Sequence, residues 1–225
     1  MPRIGIITGV KSEEAALAPV MGTVDAPYVR LSGARPSRAR DGVAALIGLG
    51  VDGILSFGSA GGVSPSLQPG DLVIADRVMN SDGHAIAADS DWCGRLAAVF
   101  NIQTSIVAGV DYVAGSEDKA WFKGEGIAAL DMESHIVAAM ADEAGIPFAV
   151  LRAIVDPAGY NIPGYALDSI RPDGSISLLP VIAGVCLQPW TIGRLLDLNR
   201  YNRQAMESLS GATRVLGPGF GFFAL

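Results

Sequence analysis

The sequence is short of cysteine and histidine, with two of each in 225 residues. Cys93 and Cys186 lie far apart without CxxC spacing. That argues against a disulfide framework or thiolate metal site and for buried free thiols in a reducing compartment. His84 and His135 form no ligand cluster, so no metal is expected. Cations are also few: 16 Lys and Arg against 23 Asp and Glu give a formal net charge of −7. Binding nucleic-acid phosphates needs a clustered basic surface, and none is visible. No uncharged run reaches the ~18 residues of a membrane-spanning helix. Residues 4–7 are too short for a signal-peptide core and read as a first strand, so a cytoplasmic protein is expected.

The chain is rich in core-forming residues, with 50% hydrophobic and 17% charged. That is globular rather than disordered, and the length suits one large domain. Apolar runs predict strands at 3–8, 27–32, 52–57, 71–78, 104–109, 127–130 and 147–155. Periodic stretches predict helices at 12–21, 36–49, 91–100, 117–123, 132–144 and 192–209. Ser12 is the expected N-cap of the first, with Glu13 and Glu14 in its opening turn. The alternation predicts an α/β fold with a mainly parallel sheet covered on both faces. Beyond residue 156 the texture changes. Residues 157–175 read as a long loop and 176–187 as an apolar segment. The tail carries Phe220, Phe222, Phe223 and Leu225, which need apolar cover from this chain or a neighbour.

Three stretches carry chemistry. Asp131, Met132 and Glu133 stand at the start of a helical pattern, where acids also complement the helix dipole. Asp156 ends an apolar strand, where open α/β sheets bind ligands and partial desolvation favours acid catalysis. It could equally cap a loop before Pro157. Residues 58–62 (GSAGG) follow a strand. Their amides and the Ser59 hydroxyl can cradle phosphate or a sugar oxygen, or the glycines can merely allow a turn. No Walker A loop, nucleophile elbow or GxGxxG fingerprint is present.

Together these stretches resemble the purine nucleoside phosphorylase / uridine phosphorylase superfamily. RIGIITGVKSEEA, FGSAGGVSPSLQPGDLVIAD and LDMESHIVAAMADEAGIPFAVLRAIVD carry the likeness in order, over roughly residues 3–160. The match is closest to the methylthioadenosine/S-adenosylhomocysteine nucleosidase branch. Within the superfamily, the DMESH wording and the C-terminal segment look most like hopanoid-associated phosphorylases. The resemblance implies an α/β nucleoside phosphorylase-type fold with a mixed, partly barrel-like central sheet flanked by helices. It implies one domain over 1–225, with the catalytic core at about 3–160 and a C-terminal part beyond it.

It also implies roles. Asp156 would protonate N7 of a leaving adenine. Glu133 would bind the ribose hydroxyls, and Met132 would pack on the sugar. Ser59, Gly61 and Gly62 would face the nucleophile, with Arg35 as a candidate anion ligand. Glu13 would activate water in a hydrolysis. Tyr112 and Val113 would flank the base. No metal or organic cofactor is required, and inorganic phosphate is a candidate co-substrate. The implied substrate is an adenine nucleoside, adenosylhopane in the hopanoid-associated family, and the implied assembly a homo-oligomer with peripheral membrane contact open. The arginine that precedes the glycine-rich stretch in hexameric phosphorylases is replaced by Ser56. Phosphorolysis and hydrolysis are therefore nearly balanced, with Glu13 favouring hydrolysis and the closer family tipping the expectation slightly to phosphorolysis. A small-substrate nucleosidase and a non-catalytic nucleoside-binding module stand as alternatives.

Overall fold

A computed structural model describes residues 3–80, 82–162, 171, 173–175, 177, 181, 183 and 186–223. Among the described residues, eight strands form one sheet. The first half runs β1 (Ile4–Thr8), α1 (Lys11–Ala16), β2 (Tyr28–Leu31), α2 (Pro36–Gly48), β3 (Gly53–Gly62), β4 (Leu72–Met79) and β5 (Ala85–Ala87). The second runs α3 (Ser90–Phe100), β6 (Ser105–Gly109), α4 (Ser116–Gly124), β7 (Ile127–Asp131), α5 (Ser134–Ala144) and β8 (Phe148–Asp156). A last helix, α6 (Ile192–Leu216), follows a short 3₁₀ turn. Local chemistry explains the boundaries. Pro36 opens α2, and Gly50 just beyond its end takes φ 67°. The Asp89 carboxylate caps α3 by accepting from the Trp92 amide at 2.7 Å. Gly145 closes α5 in the left-handed region.

The mainly parallel open sheet expected from apolar runs is only part of the architecture. β3 pairs with β8, β8 with β4, β4 with β6, β6 with β7, and β7 returns to β3. This closed circuit mixes parallel and antiparallel pairs, and each of its five strands is paired on both sides. β1 and β2 extend from the first half of β3, and β5 hangs from β4. The strands are apolar because the closed circuit is buried: Ile54, Phe57, Leu151 and Ile154 are fully shielded.

Several boundaries differ from the sequence reading. α1 stops at Ala16, with turns over the rest of 12–21, and its N-cap is Val10 rather than Ser12. α5 begins at Ser134, so Asp131 ends a strand and Glu133 is the N-cap. β3 runs on through 58–62, so the glycines there form strand rather than loop. None of Gly58, Gly61 and Gly62 has a positive φ. β5 was not anticipated, and α6 extends seven residues past 209. Cys93 is buried, donating to the Ala75 carbonyl, whereas Cys186 is exposed rather than buried. The 157–175 loop and the 176–187 segment lie largely outside the described residues.

The tail packs on its own chain. Phe220 is fully buried and meets Phe57 edge to face at 5.8 Å. The Trp92 indole donates to the Phe220 carbonyl at 2.7 Å, and Arg95 binds the carbonyls of Gly221 and Phe222. Phe223 stays half exposed, and Leu225 lies outside the described residues.

Candidate active site

Two buried charge clusters flank the C-terminal half of β3. The first is built around Glu13. The chain leaves β1 through Thr8, Gly9 and Val10 and turns into α1, so Glu13 reaches back toward the strand end. Its Oε2 accepts from Thr8 Oγ1 at 3.0 Å, Gly9 N at 2.7 Å and Val10 N at 3.1 Å. Its Oε1 accepts from Ser59 N at 2.8 Å and Ser59 Oγ at 2.6 Å. Hydrogen bonds to both oxygens stabilise a carboxylate that burial alone would disfavour.

Close approach explains the glycines. A Cβ on Gly58 would lie 2.6 Å from Arg152 Nη1 and 2.8 Å from Glu13 Oε2. A Cβ on Gly9 would lie 3.0 Å from Glu133 Oε1 and 3.1 Å from Glu13 Oε2. Glu13, Glu133 and Arg152 therefore converge where the backbone of β1 and β3 is bare.

Arg152, in the middle of β8, is wholly buried. Its Nε lies 2.6 Å from Asp131 Oδ2 and its Nη2 3.5 Å from Glu133 Oε2. Nη2 also donates to Ser56 Oγ at 2.6 Å, and more weakly to Ser134 Oγ at 3.3 Å. Asp131 in turn accepts from the Ser134 hydroxyl and, at 3.0 Å, the Ser134 amide. Glu133 accepts from Ser32 Oγ at 2.9 Å. The Glu133 pKa is raised to about 7: burial raises it most, the Arg152 guanidinium lowers it, and the Glu13 and Asp131 carboxylates raise it again. Near neutral pH this group can both accept and donate, which suits gripping a diol.

The second cluster is Asp156 with Lys119. The β3–β8 pairing runs Ala60 with Ile154, then Gly61 with Asp156, so Val155 is an extra residue. Such a bulge re-aims the side chains beside it. Here it seats Asp156 over Gly61, where a Cβ would lie 3.2 Å from both carboxylate oxygens. Lys119 reaches in from α4 to an ion pair with Asp156, and donates to the Pro157 carbonyl at 3.1 Å. Burial raises the Asp156 pKa, with the Lys119 ammonium opposing the rise. Gly58 and Gly61 are three residues apart, so the clusters lie about 10 Å apart along β3. A nucleoside laid along the strand would meet one cluster with its sugar and the other with its base.

Of the residues singled out from sequence, Glu13, Ser59 and Glu133 come together at the first cluster, with Met132 half-buried beside Glu133. Gly61 lies against Asp156 in the second cluster, three residues along β3 from Gly58, and Gly62 lies against Ile154 and the Asp156 carbonyl. Arg35 is not drawn in: its side chain is exposed and makes no ion pair among the described residues. Tyr112 and Val113 follow β6 and are 48% and 38% exposed, so this chain alone does not bury them. Sequence reasoning missed Arg152 and Lys119. A lone arginine inside PFAVLRAIV was the available signal, because a buried cation needs carboxylate partners. Lys119 had no signal, since SEDKAWFKG reads as an ordinary surface helix.

Comparisons with known proteins give the family and the fold. Residues 21–166 match the model of the phosphorylase superfamily, and the chain belongs to that family. A curated 5′-methylthioadenosine/S-adenosylhomocysteine nucleosidase of Marinomonas sp. (strain MWYL1) is 27% identical over 135 residues, 49% of this chain and 58% of the relative. The nucleosidase of Actinobacillus succinogenes is 27% identical over 164 residues, 62% of this chain and 71% of the relative. The chain spans less than two thirds of the length of the first curated relatives it matches. Among solved structures, futalosine hydrolase of Helicobacter pylori strain 26695 superposes with a TM-score of 0.70 at 16% identity, over 96% of this chain and 97% of the other. The Neisseria meningitidis nucleosidase in complex with methylthio-immucillin-A gives 0.71 at 16% identity, over 96% and 99%. These likenesses establish the α/β nucleoside phosphorylase-type fold, with its mixed, partly barrel-like sheet and flanking helices.

Proposed function

We propose that the protein cleaves the N-glycosidic bond of an adenine nucleoside, releasing adenine, with water as the nucleophile. One observation carries the choice of water: the hydrogen-bonded Glu13 carboxylate lies against Ser59 in a cluster where Arg152 is shared by Asp131 and Glu133. A phosphate dianion there would face the Glu13 and Glu133 carboxylates, and the cation of the cluster among the described residues, Arg152, is already shared by Asp131 and Glu133. Arg35, the candidate phosphate ligand, is exposed. A water bound to Glu13 is instead well placed to lose a proton as it attacks.

The division of labour follows the clusters. Glu133, steadied by Ser32, grips the ribose hydroxyls, and Met132 lines the sugar. Ser59 and Glu13 hold the water below C1′. Asp156 and Lys119 act on the leaving base. A positioned acid and base each contribute about 10²–10⁴-fold. The names of the nucleosidase and futalosine hydrolase relatives support the same bond type.

The identity of the 5′ group follows from the resemblance to hopanoid-associated phosphorylases, which favours a large apolar chain. Leu187, Trp190, Ile192 and Leu196 expose apolar surface, and Tyr160, four residues past Asp156, bonds the Arg194 carbonyl beside them. That surface suits an apolar 5′ chain or peripheral membrane contact of a cytoplasmic protein. No described helix is long and apolar enough to cross a membrane. The exposed Tyr112 and Val113 suit a homo-oligomer in which a second copy covers the base.

The test is adenine release from 5′-methylthioadenosine and from an adenosine bearing a long apolar 5′ chain, with and without inorganic phosphate. Phosphate-independent release that Glu13→Gln abolishes is the expected result. Release that requires phosphate would restore phosphorolysis. Saturable binding without release would make the chain a nucleoside-binding module.

A further inference from the structure

Resting on the nucleosidase reading above, we propose that Lys119 is a catalytic residue: its ammonium gives the proton to N7 of the leaving adenine, while the Asp156 carboxylate accepts from the 6-amino group. Adenine presents an acceptor, N7, beside a donor, the 6-amino group. The buried pair presents the complementary order, a donor on Lys119 beside an acceptor on Asp156. A lone carboxyl must be protonated to serve both positions. Next to an ammonium, Asp156 serves as acceptor while ionised, and the proton comes from Nζ.

The hydrogen bonds of Lys119 leave one contact weak enough to exchange. An ammonium has three donors. They point to the Asp156 carboxylate, the Pro157 carbonyl at 3.1 Å and the Asp156 carbonyl at 3.4 Å. The longest of these bonds is the one N7 would replace. The pair lies over Gly61, whose missing Cβ would sit 3.4 Å from Lys119 Cε and 3.2 Å from both Asp156 oxygens. A base entering beside the pair would meet both groups, because each packs on the same bare stretch of β3. A 6-oxopurine would turn two acceptors toward the pair and place its O6 against the carboxylate, so the same arrangement selects adenine.

In the step, the proton passes from Nζ to N7, the C1′–N9 electron pair goes to the base, and adenine leaves neutral. Water adds to C1′ and gives one proton to Glu13. Lys119 then recovers a proton from solvent and Glu13 returns one, so charge and atoms balance.

The experiment compares an adenine nucleoside with 4-nitrophenyl riboside, whose leaving group departs as a stable anion without a proton. Lys119→Met should lower kcat/KM for the adenine nucleoside by about 10²-fold or more. On the nitrophenyl riboside the change should stay within about threefold. Lys119→Arg keeps the charge and the ion pair, but a guanidinium does not give up its proton, so it should fail on adenine alone. Removing the 6-amino group (purine riboside) and the carboxylate (Asp156→Ala) together should cost no more than either change alone. Equal losses on both ribosides would make Lys119 structural and overturn the proposal. Full adenine release by Lys119→Met would return the proton to Asp156. Wild-type protein that releases neither adenine nor 4-nitrophenol would instead refute the nucleosidase reading itself.

Discussion

Arg152 and Asp131 form an ion pair, 2.6 Å between Nε and Oδ2, in which neither side chain has any exposed surface. The two residues come from β8 and the end of β7, the strands that pair with β3 on either side. Glu13 and Glu133 share the same cation. Replacing Arg152 with Met would leave these carboxylates facing one another out of water. Removing one partner of a buried pair costs about 3–5 kcal/mol. Urea denaturation of Arg152→Met near neutral pH should show a loss of that order. A loss within experimental error would mean the cluster is wetter than its burial indicates.

The proton on Glu133 makes stability depend on pH. Its ordinary value is 4.5 and the folded value about 7, raised first by burial. The folded state therefore holds this proton more tightly than the unfolded state. The associated stability is fully present below the unfolded value and is lost as pH rises through the folded one. The difference amounts to ~3 kcal/mol as an upper bound. Glu133→Gln removes that slope. Relative to wild type, the variant should gain stability between about pH 5 and pH 8 by up to that amount. Denaturant midpoints at the two pH values check it, and parallel curves for the two proteins would contradict the shift.

The C-terminal turn is an anchor for the core. The buried Phe220 ring packs edge to face on Phe57, while its backbone carbonyl is held by the Trp92 indole. Truncating a buried Phe to Ala typically costs about 3–5 kcal/mol. Phe220→Ala should lower the thermal midpoint accordingly, whereas Phe223→Ser, on a half-exposed ring, should change stability by less than ~0.5 kcal/mol. The pair of variants separates anchoring from mere tail hydrophobicity.

Much of this molecule was legible in its sequence because strands on a closed, buried sheet are continuously apolar. β1 and β8 were found almost to the residue. Glu13, Glu133 and Asp156 were legible as acids at element ends. Three things were hidden. The closure of β3 onto β7 is made by Gly61 and Gly62, and a glycine run gives no apolar strand signal. The end of α1 at Ala16 was hidden only because the helical period was carried through Pro19, two residues past the C-cap Leu17, where proline cannot continue a helix. Lys119 is defined by what it reaches across space, which spacing along α4 does not encode.

Gly58 separates close approach from conformational freedom as the reason for a glycine. Its φ is not positive, so alanine meets no backbone penalty there. The obstacle is a Cβ at 2.6 Å from Arg152 Nη1 and 2.8 Å from Glu13 Oε2, both fixed by buried partners. Overpacking of this kind costs about 1–3 kcal/mol, and any relief must come from moving Glu13 off Ser59. Gly58→Ala should therefore lose both stability and nearly all glycosidic cleavage. At Gly61 the added carbon would sit at 3.2 Å from Asp156 and 3.4 Å from Lys119, a tight but milder approach. Gly61→Ala should stay within ~1 kcal/mol of wild-type stability while weakening binding of the base, seen as a raised KM for the adenine nucleoside. If both variants lose stability equally with activity untouched, the bare backbone of β3 serves packing alone, and the two clusters do not meet over it as a site.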